Sequence, residues 1–308
     1  MLPAALAVGL FALSSVAARR SIHHLGSNDA SLVRIVLATL LLGIYAHGFG
    51  GGFSGPALGW FLASGLVGFG ICDTALFLAL PRLGAQLASL MVQCLSVPIG
   101  LVVEWLWLGT ALRPAQLGAI AVILAGVSIA LRPRRTPMEA APASGTQSTG
   151  PGAGALALGV VAAAGQGIGA VLSRHGTLLS AKAGLPVDGL TVAYQRIWAG
   201  VAFIALWWWM QRLRSGHGGL AMQGEARGRW RRATPWVVVN ATSGPTLGVA
   251  SYQWALSQQP TGIVMAVAAL TPLAVIPLSW AMEGQRPTWP AVAGGAIGVA
   301  GVVWLALG

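Results

Sequence analysis

The sequence predicts an all-α membrane protein with ten transmembrane helices, arranged as two inverted five-helix repeats. Composition predicts the membrane: hydrophobic residues make up 56% of the 308 residues, and charged residues only 8%. A soluble domain contains about 25% charged residues, so this chain lacks the polar groups needed to cover a globular surface. The apolar runs predict the arrangement, because one polar segment divides them into two sets of five.

Ten apolar runs are candidates for crossing the hydrocarbon layer, which takes about 20 residues. They are residues 3–18, 30–48, 57–80, 84–108, 114–131, 152–173, 189–210, 234–257, 261–282 and 288–307. The first run is followed by Arg19 and Arg20, which reverses the charge order of a signal peptide, so we expect a retained span. The runs are continuously apolar rather than alternating, which excludes a membrane β-barrel.

The segment that divides the runs is rich in Pro, Ser, Thr and Gly and extends over Arg132–Gly154. Such a composition is typical of a linker. We therefore predict a first repeat at residues 1–135, a linker at 136–151 and a second repeat at 152–308. Because five is an odd number of spans, the second repeat enters the membrane in the opposite orientation. Inverted repeats of this kind are common in secondary transporters.

The two halves also share local detail. The stretch Val97–Pro114, which begins in the fourth span, carries Pro98. The similar stretch Thr261–Pro287, which begins with the ninth span, carries Pro272 and Pro277. Proline removes a helical hydrogen bond and frees backbone carbonyls, which neighbours or a water-lined cavity must satisfy. We therefore expect helix breaks at these three prolines.

These features resemble the drug/metabolite transporter superfamily, and specifically its EamA-type ten-helix members. The resemblance covers nearly the whole chain. It rests on the repeats, on Arg34 and Arg196 in the second helix of each, on the prolines of the fourth helices and on glycine-rich fifth helices. Glu283 falls close to the acidic residue that ends the fourth helix in this family, whereas the first repeat has Gly109-Thr110 there. The resemblance implies export of amino acids or related metabolites.

The predicted function is secondary active transport of a small organic solute by alternating access between the halves. The sequence contains no nucleotide motif, catalytic set or metal-ligand spacing, so we expect no cofactor and a solute or proton gradient as the driving force. The partners are a small-molecule substrate and membrane lipid rather than nucleic acid, because the basic residues lie in short segments between apolar runs. Two alternatives are an intramembrane enzyme and a non-transporting membrane scaffold.

Charged residues inside spans are expensive and are the first candidates for the substrate or coupling site. They are Arg34, Asp73, Glu104 and Arg196. The arginines could bind a substrate carboxylate or phosphate, or they could snorkel and cap carbonyls at broken helix ends. Asp73 has a short side chain that cannot snorkel, so it could couple protons or bind a substrate amine.

Neutral polar and aromatic residues inside spans are the second set of candidates. They are Gln93, Gln166, Tyr194, Trp198, Tyr252 and Trp254. A mostly apolar cavity with a few such groups suits a small amphipathic ligand. The alternative for each is a hydrogen bond between helices, worth about 0.6 kcal/mol on average.

The distribution of basic residues predicts the orientation in a cell (inner) membrane. Loops after odd-numbered spans are assigned Arg19, Arg20, Arg82, Arg132, Arg134, Arg135, Arg212, Arg214, Arg227, Arg229, Arg231, Arg232 and Arg286. Loops after even-numbered spans are assigned Arg113, Arg174 and Lys182. The positive-inside rule therefore places both termini outside, whereas the family resemblance implies cytoplasmic termini.

Overall fold

The part of the chain that the structure describes is mostly helical and contains no strand. A computed structural model describes residues 1–131, 152–214, 223–283 and 288–307. The predicted linker at 136–151 and the side chain of Glu283 lie outside the described residues.

The first half begins with a helix that is longer than the sequence predicts. Its helices are α1 (Leu2–Leu25), α2 (Ser27–Gly48), α3 (Leu58–Gly65), a first π-helical segment (Leu66–Ile71), α4 (Cys72–Leu108) and α5 (Pro114–Ala130). Helix α1 continues past the predicted span 3–18 and therefore includes Arg19 and Arg20. Helix α4 ends at Gly109, whose φ of 67° is the left-handed conformation that glycine adopts without strain.

The helical run of α4 contains the junction between the third and fourth predicted spans. Gly165 and Gly167 are two residues apart in one helix, yet a β-carbon on Gly165 would lie 3.0 Å from the Cys72 β-carbon and one on Gly167 would lie 2.8 Å from the Ser96 carbonyl oxygen. In a straight helix, Cys72 and Ser96 would be about 36 Å apart. The chain therefore reverses direction between them, and the turn lies between Leu83 and Met91, because a β-carbon on Gly159 would lie within 3.3 Å of both side chains.

The second half repeats this order. Its helices are α6 (Ala153–Lys182), α7 (Gly189–Arg214), α8 (Gln223–Ala241), a second π-helical segment (Thr242–Gly248), α9 (Val249–Gln258), α10 (Thr261–Ala268), α11 (Thr271–Glu283) and α12 (Trp289–Leu307). Asp188 caps the N-terminus of α7: its Oδ1 accepts hydrogen bonds from the amides of Leu190 and Thr191 at 3.0 Å each. Helices α10 and α11 together cover the predicted ninth span.

Within the described ranges, ten helical stretches, some made of more than one numbered helix, correspond to the ten predicted spans. Eight helical stretches are long and apolar enough to cross a membrane, and Pro114–Ala130 is a shorter apolar helix. The continuous run formed by α8, the second π-helical segment and α9 supplies the tenth. The all-α membrane fold with ten helices is therefore confirmed.

Helix pairing has a two-fold pattern that relates the halves. Helix α6 packs along α3 and α4, and α1 packs in the same way along α8 and α9. Helix α2 packs on α7, and α5 packs on α12, so each of these pairs joins equivalent helices. The two π-helical segments also occupy equivalent places, in the third and eighth spans. With five spans in each half, these pairings are those of an inverted repeat.

Helices α5 and α12 approach each other through glycines. A β-carbon on Gly126 would lie 2.6 Å from both the Gly294 carbonyl oxygen and the Gly298 nitrogen. A β-carbon on Gly301 would lie 2.7 Å from Ile123 Cγ1. Small residues at such contacts let helix backbones approach closely in lipid, where van der Waals packing drives association.

The three prolines differ in their effect on the backbone. The chain leaves helical geometry between α10 and α11, immediately before Thr271 and Pro272. Pro98 lies within α4 and Pro277 within α11, and helical backbone continues through both. The expected breaks at Pro98 and Pro277 are therefore wrong. A single proline removes one hydrogen bond, and the surrounding turns and packed neighbours hold the helix together.

Candidate functional site

A central cavity of about 410 Å³ lies between the two halves. Both halves contribute to its wall: Phe11, Ser14, Ser15, Arg34, Ile35, Gly68, Phe69, Asp73 and Gln93 from the first, and Gln166, Ala170, Arg196, Gly244, Pro245, Val249, Tyr252, Ala268 and Thr271 from the second. This volume lies within the range of small-molecule sites. Both apolar side chains and buried charges line it.

The two π-helical segments form part of the cavity wall. The first contributes Gly68 and Phe69, and the second contributes Gly244 and Pro245. A π-helical turn is wider than an α-helical turn, and such turns occur often at functional sites. The sequence analysis did not identify these segments, although glycine recurs in both and Pro245 interrupts the second.

The first charged element in the cavity is the pair Arg34 and Asp73. Arg34 belongs to α2 and Asp73 follows the first π-helical segment, and both side chains are half-buried. Their opposite charges attract each other across the cavity wall. Within the described residues, the Nε of Arg34 has no hydrogen-bond partner. The pair therefore leaves one buried donor of Arg34 unsatisfied.

The second charged element is Arg196 of α7, which is only 6% exposed. Its guanidinium carbon lies 5.5 Å from the centre of the Phe69 ring, and it interacts electrostatically with the Tyr252 phenol. The absence of a side chain at Gly68 makes room for it, since a β-carbon there would lie 3.3 Å from Arg196 Nη2. In the described part of the chain, the Nε of Arg196 also lacks a hydrogen-bond partner.

Polar neutral residues complete the wall. Gln93, Gln166 and Tyr252, three of the predicted candidates, line the cavity and are half-buried. Ser14 is a lining residue that the sequence analysis missed, and its Oγ donates to Asn240 Oδ1 at 2.7 Å. The adjacent polar residues Ser14 and Ser15, within an otherwise apolar span, were the available signal.

Glu104 lies outside the cavity, at the end of the bundle where α4 and α6 finish and α10 begins. Its Oε1 is 2.7 Å from Arg174 Nε, and its Oε2 accepts a hydrogen bond from the Thr261 amide at 2.7 Å. Arg174 also donates from Nη1 to the carbonyl oxygens of Leu256 and Gln259. The group therefore joins α4, α6, the end of α9 and the start of α10.

Arg174 corrects one detail of the sequence analysis. It was assigned to a loop after the sixth span, but it lies within α6 and is only 9% exposed. The helix continues to Lys182, and two of its polar residues have partners: Ser173 donates to Gln253 Oε1 at 2.6 Å, and Thr177 donates to the Ser173 carbonyl oxygen within the helix. The basic residues assigned to even-numbered loops are thereby reduced to Arg113 and Lys182.

The opposite end of the bundle has an equivalent group. Arg19 donates from Nη2 to Ser279 Oγ at 2.6 Å, and Arg20 donates from Nη2 to the Met282 carbonyl oxygen at 2.9 Å. The Arg20 guanidinium also lies over Trp236, 4.2 Å from the ring centre. In each half, arginines near the end of the first helix therefore join it to the fourth span of the other half: α1 to α11, and α6 to α4.

Besides Glu104, three predicted candidates lie away from the central cavity. Tyr194 and Trp198 line a separate apolar groove between α2 and α7, and the Tyr194 hydroxyl is 3.0 Å from His47 Nε2. Trp254 lines a further depression beside the start of α7, and 47% of its surface is exposed. A helix presents successive side chains in different directions, which explains why these residues and Tyr252 do not share one site.

Comparisons with known proteins match both halves of the chain to one family of membrane transporters. The model of the EamA-like transporter family matches residues 1–132 and 153–307. A search of curated proteins found no match. One solved structure, described only as "Crystal structure of protein", is 19% identical and superposes with a TM-score of 0.71. The match covers 99% of this chain and 96% of that one; at this identity it shows the fold alone.

Proposed function

Because the chain belongs to the EamA-like transporter family, we propose that it moves a small organic solute across the membrane by alternating access. The family assignment supports a membrane transporter of small solutes and favours transport over an intramembrane enzyme or a scaffold. The finer proposal is secondary active export of an amino acid or related metabolite across the cell (inner) membrane. The two repeats, residues 1–135 and 152–308, would move relative to each other.

One observation carries the proposal: both halves line a single cavity that contains buried charges. A charge inside the bilayer costs several kcal/mol unless a partner or water compensates it. A scaffold gains nothing from Arg34, Asp73 and Arg196 in a space of about 410 Å³. A transporter needs such groups, because they replace the hydration shell of a polar solute during passage.

The proposed substrate residues are those that line this cavity. They are Arg34, Asp73, Gln93, Gln166, Arg196 and Tyr252. The groups at the two ends, Glu104 with Arg174 and Arg19 with Ser279, suit a different role. Each joins helices that would have to separate when the cavity opens at that end.

Uptake into proteoliposomes tests this function. Purified protein is reconstituted and offered radiolabelled amino acids and related metabolites, with and without a proton gradient. We expect saturable uptake of at least one solute, strongly reduced by Arg34→Gln and unchanged by Lys182→Gln, an exposed residue at the end of α6. Uptake no faster than in empty liposomes for every solute would argue against transport of this class.

A further inference from the structure

Arg196 is a buried cation without an acidic partner in the part of the chain that the structure describes. Only 6% of its surface is exposed, and its Nε has no hydrogen-bond partner there. Its guanidinium faces the central cavity, with the Phe69 ring and the Tyr252 phenol as neighbours. Neither neighbour carries a negative charge when the phenol is protonated.

In the described part of the chain, the other charged side chains inside the spans have partners of opposite charge. Glu104 forms an ion pair with Arg174 at 2.7 Å, and Asp73 interacts with Arg34. Among the described side chains that line the cavity, two arginines therefore face one acid. The described lining therefore carries one more positive charge than negative charges.

We propose that Arg196 binds an oxyanion of the transported solute, so that the substrate class is a small organic anion or zwitterion. This inference rests on the proposed function, because it takes the cavity to be the transport site. The chemistry is that of a carboxylate or a phosphate, either of which matches the planar fork of donors on a guanidinium. The bound anion completes the charge balance of the cavity.

The rest of the cavity suits an amphipathic molecule. Apolar surface comes from Ile35, Phe69 and Val249, whereas Ser14 and Tyr252 provide hydroxyl groups. Asp73 offers a carboxylate in the same space, so a solute with an amine gains a second charged contact there. A solute with an oxyanion, an apolar body and an amine satisfies all three features.

Binding to the purified full-length protein tests the proposal with matched probes. Thermal unfolding is followed by tryptophan fluorescence in detergent with L-leucine and L-leucinamide, 4-methylpentanoate and 4-methylpentanamide, and with inorganic phosphate and glycerol 3-phosphate. A ligand of the folded state raises the unfolding temperature. If the site takes a carboxylate, we expect L-leucine or 4-methylpentanoate to stabilise the protein and the corresponding amide not to. Stabilisation by inorganic phosphate or glycerol 3-phosphate instead would identify a phosphate site.

Arg196→Gln gives the second arm of the test. Loss of a charge-assisted contact should weaken apparent affinity for the stabilising anion by tenfold or more, whereas Arg196→Lys should retain part of it. Lys182→Gln should bind as the wild type does. Absence of stabilisation by every anionic probe, or equal stabilisation of Arg196→Gln, overturns the proposal.

A measurement without ligand separates this role from a structural one. Arg196→Gln removes a buried charge that lacks an acidic partner, so its unfolding temperature should equal or exceed that of the wild type. A structural Arg196 would instead give a clear decrease, which would also overturn the proposal. If the protein transports a solute without an oxyanion, the proposed function stands and this inference fails. If anions bind through Arg196 but no solute crosses, the binding site stands and the transport function fails.

Discussion

Arg174 Nε lies 2.7 Å from Glu104 Oε1, and the Glu104 residue is only 1% exposed. The other carboxylate oxygen accepts the Thr261 amide at the N-terminus of α10. A carboxylate at a helix N-terminus is stabilised by the helix dipole and by the unpaired amides of the first turn. The ion pair therefore holds three helices together at one end of the bundle.

Replacing either member of this pair should destabilise the fold. Removing one partner of a buried ion pair leaves an uncompensated charge and costs about 3–5 kcal/mol. Glu104→Gln and Arg174→Gln should each unfold at a lower temperature than the wild type in detergent, whereas Lys182→Gln should not. The double variant should lose less stability than the two single losses combined; full additivity would mean that the residues do not interact.

Asp73 should control how transport depends on pH. Asp73→Asn keeps the shape of the side chain and removes its ionisation, so folding and membrane insertion should be retained. We expect reduced gradient-driven uptake in proteoliposomes, or uptake whose rate no longer varies with pH. Asp29→Asn changes an exposed acid and is the matched control. Wild-type rates with an unchanged pH profile in Asp73→Asn would make the residue structural.

The contact between α5 and α12 should not tolerate a methyl group at Gly126. A β-carbon there would lie 2.6 Å from backbone atoms of Gly294 and Gly298, which cannot move aside as a flexible side chain can. Gly126→Ala should therefore lower the unfolding temperature, although alanine favours a helix by about 1 kcal/mol. Gly295→Ala is the control, because nothing lies within 4 Å of its β-carbon position. Equal stability of the two variants would contradict the close packing.

The orientation predicted from basic residues can be measured directly. Single cysteines at Ser148 and Ser215, in a background of Cys72→Ala and Cys94→Ala, should resist an impermeant thiol reagent in intact cells if odd-numbered loops are cytoplasmic. A cysteine at Leu185, which is 60% exposed between α6 and α7, should then react from outside. The reverse labelling pattern would place both termini in the cytoplasm, as the family resemblance implies.

The sequence by itself determined the membrane class, the number of spans and the repeat. These follow from composition and from runs of about 20 apolar residues, because hydrocarbon solvates neither charges nor free backbone groups. It also identified Arg34, Asp73 and Arg196 as candidates, since an ionisable residue inside a span needs a specific reason to be there.

Only the tertiary structure decided which of these candidates meet. Arg34, Asp73 and Arg196 reach one cavity, whereas Glu104 pairs with Arg174 at one end and Trp254 lies away from the cavity. The two π-helical segments and the helical continuity through Pro98 likewise could not be predicted from the sequence. The physical reason is that the length of an apolar run determines which residues cross the hydrocarbon layer. The direction that each polar side chain faces depends on how neighbouring helices pack, which is set by glycine contacts between residues far apart in the chain.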